Sequence, residues 1–152
     1  SYNELADNFV ISTGIYTRAI NSLSDDDVRV SKRLYAPGKR LRGFETGKVG
    51  PKDGDDFVGG NYVATFNASS TVPYIFQTFE NTDLKVFFDA GNVWGVDYSS
   101  SIDDSNKLRS SSGIALEIFS PVGPLSFSYA EAITKASTDR TESFRFQLGT
   151  TF

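Results

Sequence analysis

The chain has 152 residues and contains no cysteine, no histidine and no methionine. Without cysteine there is neither a disulfide framework nor a thiolate metal centre. Without histidine the usual general base and the commonest metal ligand are both missing. Enzymatic catalysis is therefore disfavoured, and no cofactor and no metal is expected. The chain opens on Ser1 with no charged and then apolar leader, which reads as a piece of a longer protein cut upstream, so the missing signal peptide is silent about compartment. No apolar run reaches the roughly 18 residues of a transmembrane helix. That absence leaves membrane barrels open, because their strands alternate polar with apolar residues and look hydrophilic on average. A formal net charge of -4 supplies no basic field for nucleic acid.

Aromatic side chains are abundant instead: 14% of the residues, with 13 Phe and 7 Tyr against a single Trp. They fall into a pattern of period two. In "SFRFQLGTTF", Phe144, Phe146, Leu148 and Phe152 share one face, while Arg145, Gln147 and Gly149 share the other. Leu125, Phe127 and Tyr129 alternate with serines and alanine, and Ile114, Leu116 and Ile118 with Ala115 and Glu117. Leu84, Val86 and Phe88 alternate with Lys85, Phe87 and Asp89, and Tyr62, Ala64 and Phe66 with Val63, Thr65 and Asn67. "FVISTGIYTRAI" supplies the first such segment. These make about six strands, most near the roughly 9–11 residues with which a tilted strand spans a bilayer. The connections run long (24–60), shorter, long, short ("SPVGP") and medium ("TKASTDRTE"). Longer loops on one side and turns on the other suit a membrane barrel, whereas the alternation alone suits a soluble β-sandwich equally well.

Among the charged groups, Asp53, Asp55 and Asp56 flank Gly54 without the full calcium loop or its closing Glu, and read as solvated loop charge. The glycines of residues 43–60 match neither a P-loop nor a dinucleotide fingerprint. Two features stand out. Arg42 sits between Leu41 and the Gly43–Phe44 pair in a basic, glycine-rich run, and Asp89 interrupts the apolar strand "VFFDAGNVW". An acid there must be solvated or paired. A third feature is the alternating strand that continues to the last residue, Phe152, where a terminus is normally polar and frayed.

The stretches "LRGFETGKVGPKDGDDFVGGN", "VFFDAGNVWG", "LRSSSGIALEIFSPVGPLSFSYA" and "FRFQLGTTF" occur in this order. Together they resemble the C-terminal membrane domain of the BamA family, the outer-membrane protein assembly factors of Gram-negative bacteria. The resemblance covers 41–152 and implies an all-β fold, the last six strands of a sixteen-stranded antiparallel transmembrane barrel in the bacterial outer membrane. It makes 24–60 the long sixth extracellular loop, folded back into the lumen, and 143–152 the C-terminal closing strand. Its implied loop-to-lumen contacts are Leu41, Arg42, Gly43 and Phe44, with Asp89 as the acidic partner of Arg42. The family usually carries a Glu four residues before a Pro on the strand after the loop. Here that position is Ser69, and Glu117, of lumen parity, is the candidate substitute. Phe144, Phe146, Leu148, Gly149 and Phe152 would form the seam strand.

The implied activity is non-enzymatic: unfolded outer-membrane barrel proteins are inserted at a weak seam by strand augmentation, with accessory lipoproteins and outer-membrane lipid as further partners and no nucleic acid. A two-partner secretion or TamA-type translocator would share the Arg-Gly-Phe loop. A small self-contained barrel or a β-sandwich binding module would also suit the length.

Overall fold

The computed structural model describes residues 2–6, 9–21, 33–38, 40–72, 81–95, 107–137 and 139–148. Gly149 and Phe152 lie outside the described residues. The elements are β1 (Tyr2–Ala6), β2 (Phe9–Ala19), β3 (Gly43–Phe44), β4 (Lys52–Asp53), β5 (Asp56–Phe57), β6 (Tyr62–Thr71), β7 (Thr82–Trp94), β8 (Arg109–Ser120), β9 (Gly123–Thr134), β10 (Thr141–Glu142) and β11 (Phe144–Leu148). Seven of them form one antiparallel sheet in the order β1-β2-β6-β7-β8-β9-β11. Each long strand pairs with the next one along the chain, so the sheet is a meander with the long connection inserted between β2 and β6. Among the described residues the other strands form only two-stranded pairs, β3 with β10 and β4 with β5, so no second large sheet faces this one as in a sandwich, and β1 and β11 stand at its two edges. Within the described residues it is open.

The sequence suggests about six strands, and the sheet has seven. The additional one is β1, whose Tyr2 pairs with Ser12 and Ala6 with Phe9. Its sequence, YNELA, carries no apolar–polar alternation, since the polar Asn3 and Glu4 are adjacent.

Register fixes which side chains share a face. Asn67 lies opposite Asp89 and Ala68 opposite Phe88, Lys85 opposite Ala115, Glu117 opposite Ser126, and Arg145 opposite Ser128. One face therefore collects Ser12, Asn67, Lys85, Asp89, Glu117, Ser128 and Arg145, and the other Ile15, Phe66, Phe88, Ile114, Phe127 and Phe146. Burial runs opposite to the usual order of a soluble protein. Ile15 is 76% exposed, Ile114 49% and Phe146 50%, whereas Asp89 is fully buried and Phe87 only 5% exposed. Large apolar groups laid outward in continuous rows, with charge enclosed on the other side, suit a sheet solvated by lipid.

The inner face is covered at one end by residues 33–60. Leu34, Ala36, Leu41, Phe44 and Val49 from this segment pack with Val63 of β6 and Val93 of β7. The segment is tied at its exit, where the amide of Leu34 donates to the Gly60 carbonyl and that of Gly60 to the Leu34 carbonyl, at 2.8 and 2.9 Å. At the other end of the sheet, Pro121 and Val122 close the tight β8–β9 hairpin, and Ser120 Oγ donates to the Gly123 carbonyl at 2.6 Å. The inner face below the loop is a concave space of about 400 Å³, lined by Arg40, Arg42, Lys85, Glu117 and Arg145 among others.

Candidate functional site

The Leu41–Phe44 turn inserts into the sheet's concave side. Leu41 and Phe44 are 2% and 1% exposed and enter the apolar cluster, which turns Arg42 toward the strand wall. Its Nε donates to Asp89 Oδ2 at 2.7 Å and its Nη2 to Oδ1 at 2.8 Å, a two-pronged pairing. The Arg42 backbone amide also donates to Oδ2 at 3.1 Å, and Asn67 Nδ2 donates to Oδ1 at 2.9 Å. Asp89 thus accepts four hydrogen bonds while its side chain is wholly removed from solvent and that of Arg42 keeps 20% of its exposure. A buried carboxylate is tolerated only when it is compensated in this way. The guanidinium also lies over the Phe87 ring, 3.5 Å from its centroid, a cation–π contact from the residue two before Asp89 on the same face.

Gly43 makes the approach possible. Its φ is +88°, a conformation that side chains disfavour. A Cβ there would stand 3.1 Å from that of Ser111 and 3.2 Å from that of Ala130, so the backbone meets β8 and β9 directly. The Ser111 hydroxyl donates to the Arg42 carbonyl. Gly43 and Phe44 pair with Glu142 and Thr141 of β10, so the segment before β11 runs alongside the loop tip.

Glu117 does not stand in for the acid missing at Ser69. Its Oε2 accepts from Lys85 Nζ at 2.9 Å, because Lys85 on the adjacent strand and the same face reaches it first. Ser69 instead shares a 2.8 Å hydroxyl–hydroxyl bond with Ser12. What complements Asp89 around Arg42 is neutral: the Asn67 amide and the Phe87 ring. Phe144, Phe146 and Leu148 are exposed on the outer face at 57%, 50% and 63%. Arg145, between the first two, points inward, where its Nη1 and Nη2 donate to the carbonyls of Gly38 and Phe44 at 2.5 and 2.7 Å.

A third ion pair was not foreseen from the sequence. Arg109 at the start of β8 donates through Nε and Nη2 to Asp139 at 2.8 and 3.1 Å, both side chains being wholly buried. Arg109 Nη1 also donates to Asn92 at 2.5 Å and to the Lys107 carbonyl at 2.9 Å. Asp139 receives the amides of Ala136 and Gly50 at 2.8 and 3.4 Å. This cluster joins the β9–β11 connection to the long loop. Its only sequence signal was the odd-numbered position of Arg109, which it shares with Ser111, Ala115 and Glu117 on the inner face.

A meander with apolar rows outside, charge inside, and a loop folded onto its concave face defines a wall segment of a membrane β-barrel. The chain belongs to the Omp85 superfamily, whose domain model matches residues 1–152. It is 34% identical over 139 residues to the outer membrane protein assembly factor BamA of Neisseria meningitidis serogroup B, covering 74% of this chain and 17% of that protein. It is 30% identical over 146 residues to BamA of Neorickettsia risticii, covering 94% of this chain and 20% of that one. Among solved structures, it superposes with a TM-score of 0.84 and 33% identity on BamA from Haemophilus ducreyi lacking POTRA domains 1-3, covering 95% of this chain and 32% of that chain. The chain spans about a third or less of each of these relatives. The family resemblance and the antiparallel barrel fold read from the sequence both hold, and the chain is part of an outer-membrane protein.

Proposed function

We propose that this chain is the C-terminal part of a barrel that assembles and inserts other β-barrel proteins into the bacterial outer membrane. In this reading, 24–60 is the long extracellular loop folded into the lumen and 143–152 is the strand that closes the barrel against its first strand. The observation that carries it is the position of β11, which ends the sheet with an edge unpaired among the described residues. An open edge within lipid leaves backbone groups unsatisfied, at several kcal/mol each. Such an edge is stable only when paired, and it is a template for another strand. Unfolded client barrels would add their strands there, with accessory lipoproteins and outer-membrane lipid as further partners. No covalent chemistry is needed. The Arg42–Asp89 contact would hold the loop in place while the seam works.

The test is reconstitution of the full-length protein in lipid vesicles, followed by addition of a urea-denatured barrel protein. Folding of the client, read by heat-modifiable migration and protease resistance, should be faster than in protein-free vesicles. Equal rates with and without correctly folded protein would overturn the proposal.

A further inference from the structure

The contacts around Arg145 tie the seam strand to the loop tip. Among the described residues, β11 is held to the sheet on one side, by the pairs Phe144–Tyr129 to Leu148–Leu125. Its root is held differently. Thr141 and Glu142 pair with Phe44 and Gly43. The Glu45 amide donates to the Arg140 carbonyl at 3.0 Å and the Arg140 amide to the Lys48 carbonyl at 3.1 Å. Arg145 is the furthest point along β11 at which a described contact reaches the loop. Its two terminal nitrogens take the carbonyls of Gly38 and Phe44, which bracket the Arg42 turn, and Nη2 also meets Glu142 at 3.1 Å.

We infer that Arg145 is a positioning residue that couples the Arg42 tip to the closing strand, so that the loop cannot leave the wall without freeing the root of β11. The tip bridges three strands at once: β7 through Asp89, β8 through Ser111 and β11 through Arg145. Displacing β11 beyond Arg145 breaks only its pairing with β9, while displacing it at or before Arg145 also breaks the loop contacts. The strand therefore peels from its C-terminal end and stops at Arg145 as long as the loop is seated. A planar, five-donor guanidinium suits this joint because it reaches two carbonyls in different directions and a carboxylate besides, which a lysine ammonium does not reproduce. The consequence for client insertion rests on the proposed reading of β11 as the seam, but the tie itself does not.

Hydrogen–deuterium exchange on the full-length protein in lipid nanodiscs tests the tie without any client. Arg145→Ala should speed exchange about tenfold in peptides covering 40–48 and 139–148 alike, as the loss of a net hydrogen bond or more in a local opening does. Peptides within β6 and β7 should keep their rates. Arg42→Ala should speed the same two regions together, and Arg145→Lys should restore protection only in part. Faster exchange confined to 139–148, with the loop peptide unchanged, would overturn the inference, as would a uniform rise across all strands. Arg145→Gln, which keeps a donor, serves the same comparison if the alanine variant does not fold. Unchanged exchange in both regions would also overturn the inference, whereas the expected exchange change with client folding at the unaltered rate would instead count against the proposed seam function.

Discussion

At the scale of single residues, Arg42 and Asp89 act as a unit. Removing one partner of a buried pair strands the other charge, a loss of about 3–5 kcal/mol. The remaining exposure of the Arg42 side chain screens the pair, so the low end of that range or less is expected here. Arg42→Ala and Asp89→Ala should each loosen the loop, and the double variant should be little worse than either single one. A double-mutant cycle in the full-length protein, read by protease cleavage within the loop, checks this, and strictly additive effects would contradict it. Each residue stood out in the sequence, Arg42 between Leu41 and Gly43–Phe44 in a basic run and Asp89 as an acid in an apolar strand, but their pairing came from the family resemblance. Asn67 was not legible, since a neutral amide on an alternating strand looks like any polar lumen position. Nor were Arg109 and Asp139, because each sits at the border of a polar connection and their meeting depends on how two connections cross in space.

At the scale of strands, alternation carried nearly everything. β2, β6, β7, β8, β9 and β11 could be read because one face had to be apolar. β3 and β10 could not, being two residues each and existing only by mutual pairing across the chain. The same logic makes a sharp contrast between faces. Ile114, in the middle of β8 and 49% exposed on the outer surface, should tolerate arginine poorly, at a cost of about 2–4 kcal/mol near the bilayer midplane. Ser126→Arg on the concave face beside Glu117 should cost under about 1 kcal/mol, since the new charge meets water and an acid. Unfolding of the two full-length variants in denaturant measures the difference; equal losses would contradict the contrast, and a larger loss for Ser126→Arg would mean that the faces are assigned the wrong way round.

At the scale of the molecule, the described residues form a seven-stranded sheet with edges at β1 and β11, and such a sheet cannot satisfy its own backbone in lipid. Produced by itself, the chain should self-associate edge to edge or aggregate. Its mass in detergent, measured by light scattering, should exceed that of one copy, and a stable monomer with dispersed amide resonances would show that it closes unaided. The apolar cluster of Leu34, Leu41, Phe44 and Val49 against Val63 and Val93 also bears on how the segment responds to salt. Mobile ions weaken exposed charge pairs but leave hydrocarbon packing essentially untouched. The part of the loop's hold that comes from such packing persists in brine as in dilute buffer, so adding salt should release the segment far less than deleting an apolar anchor does.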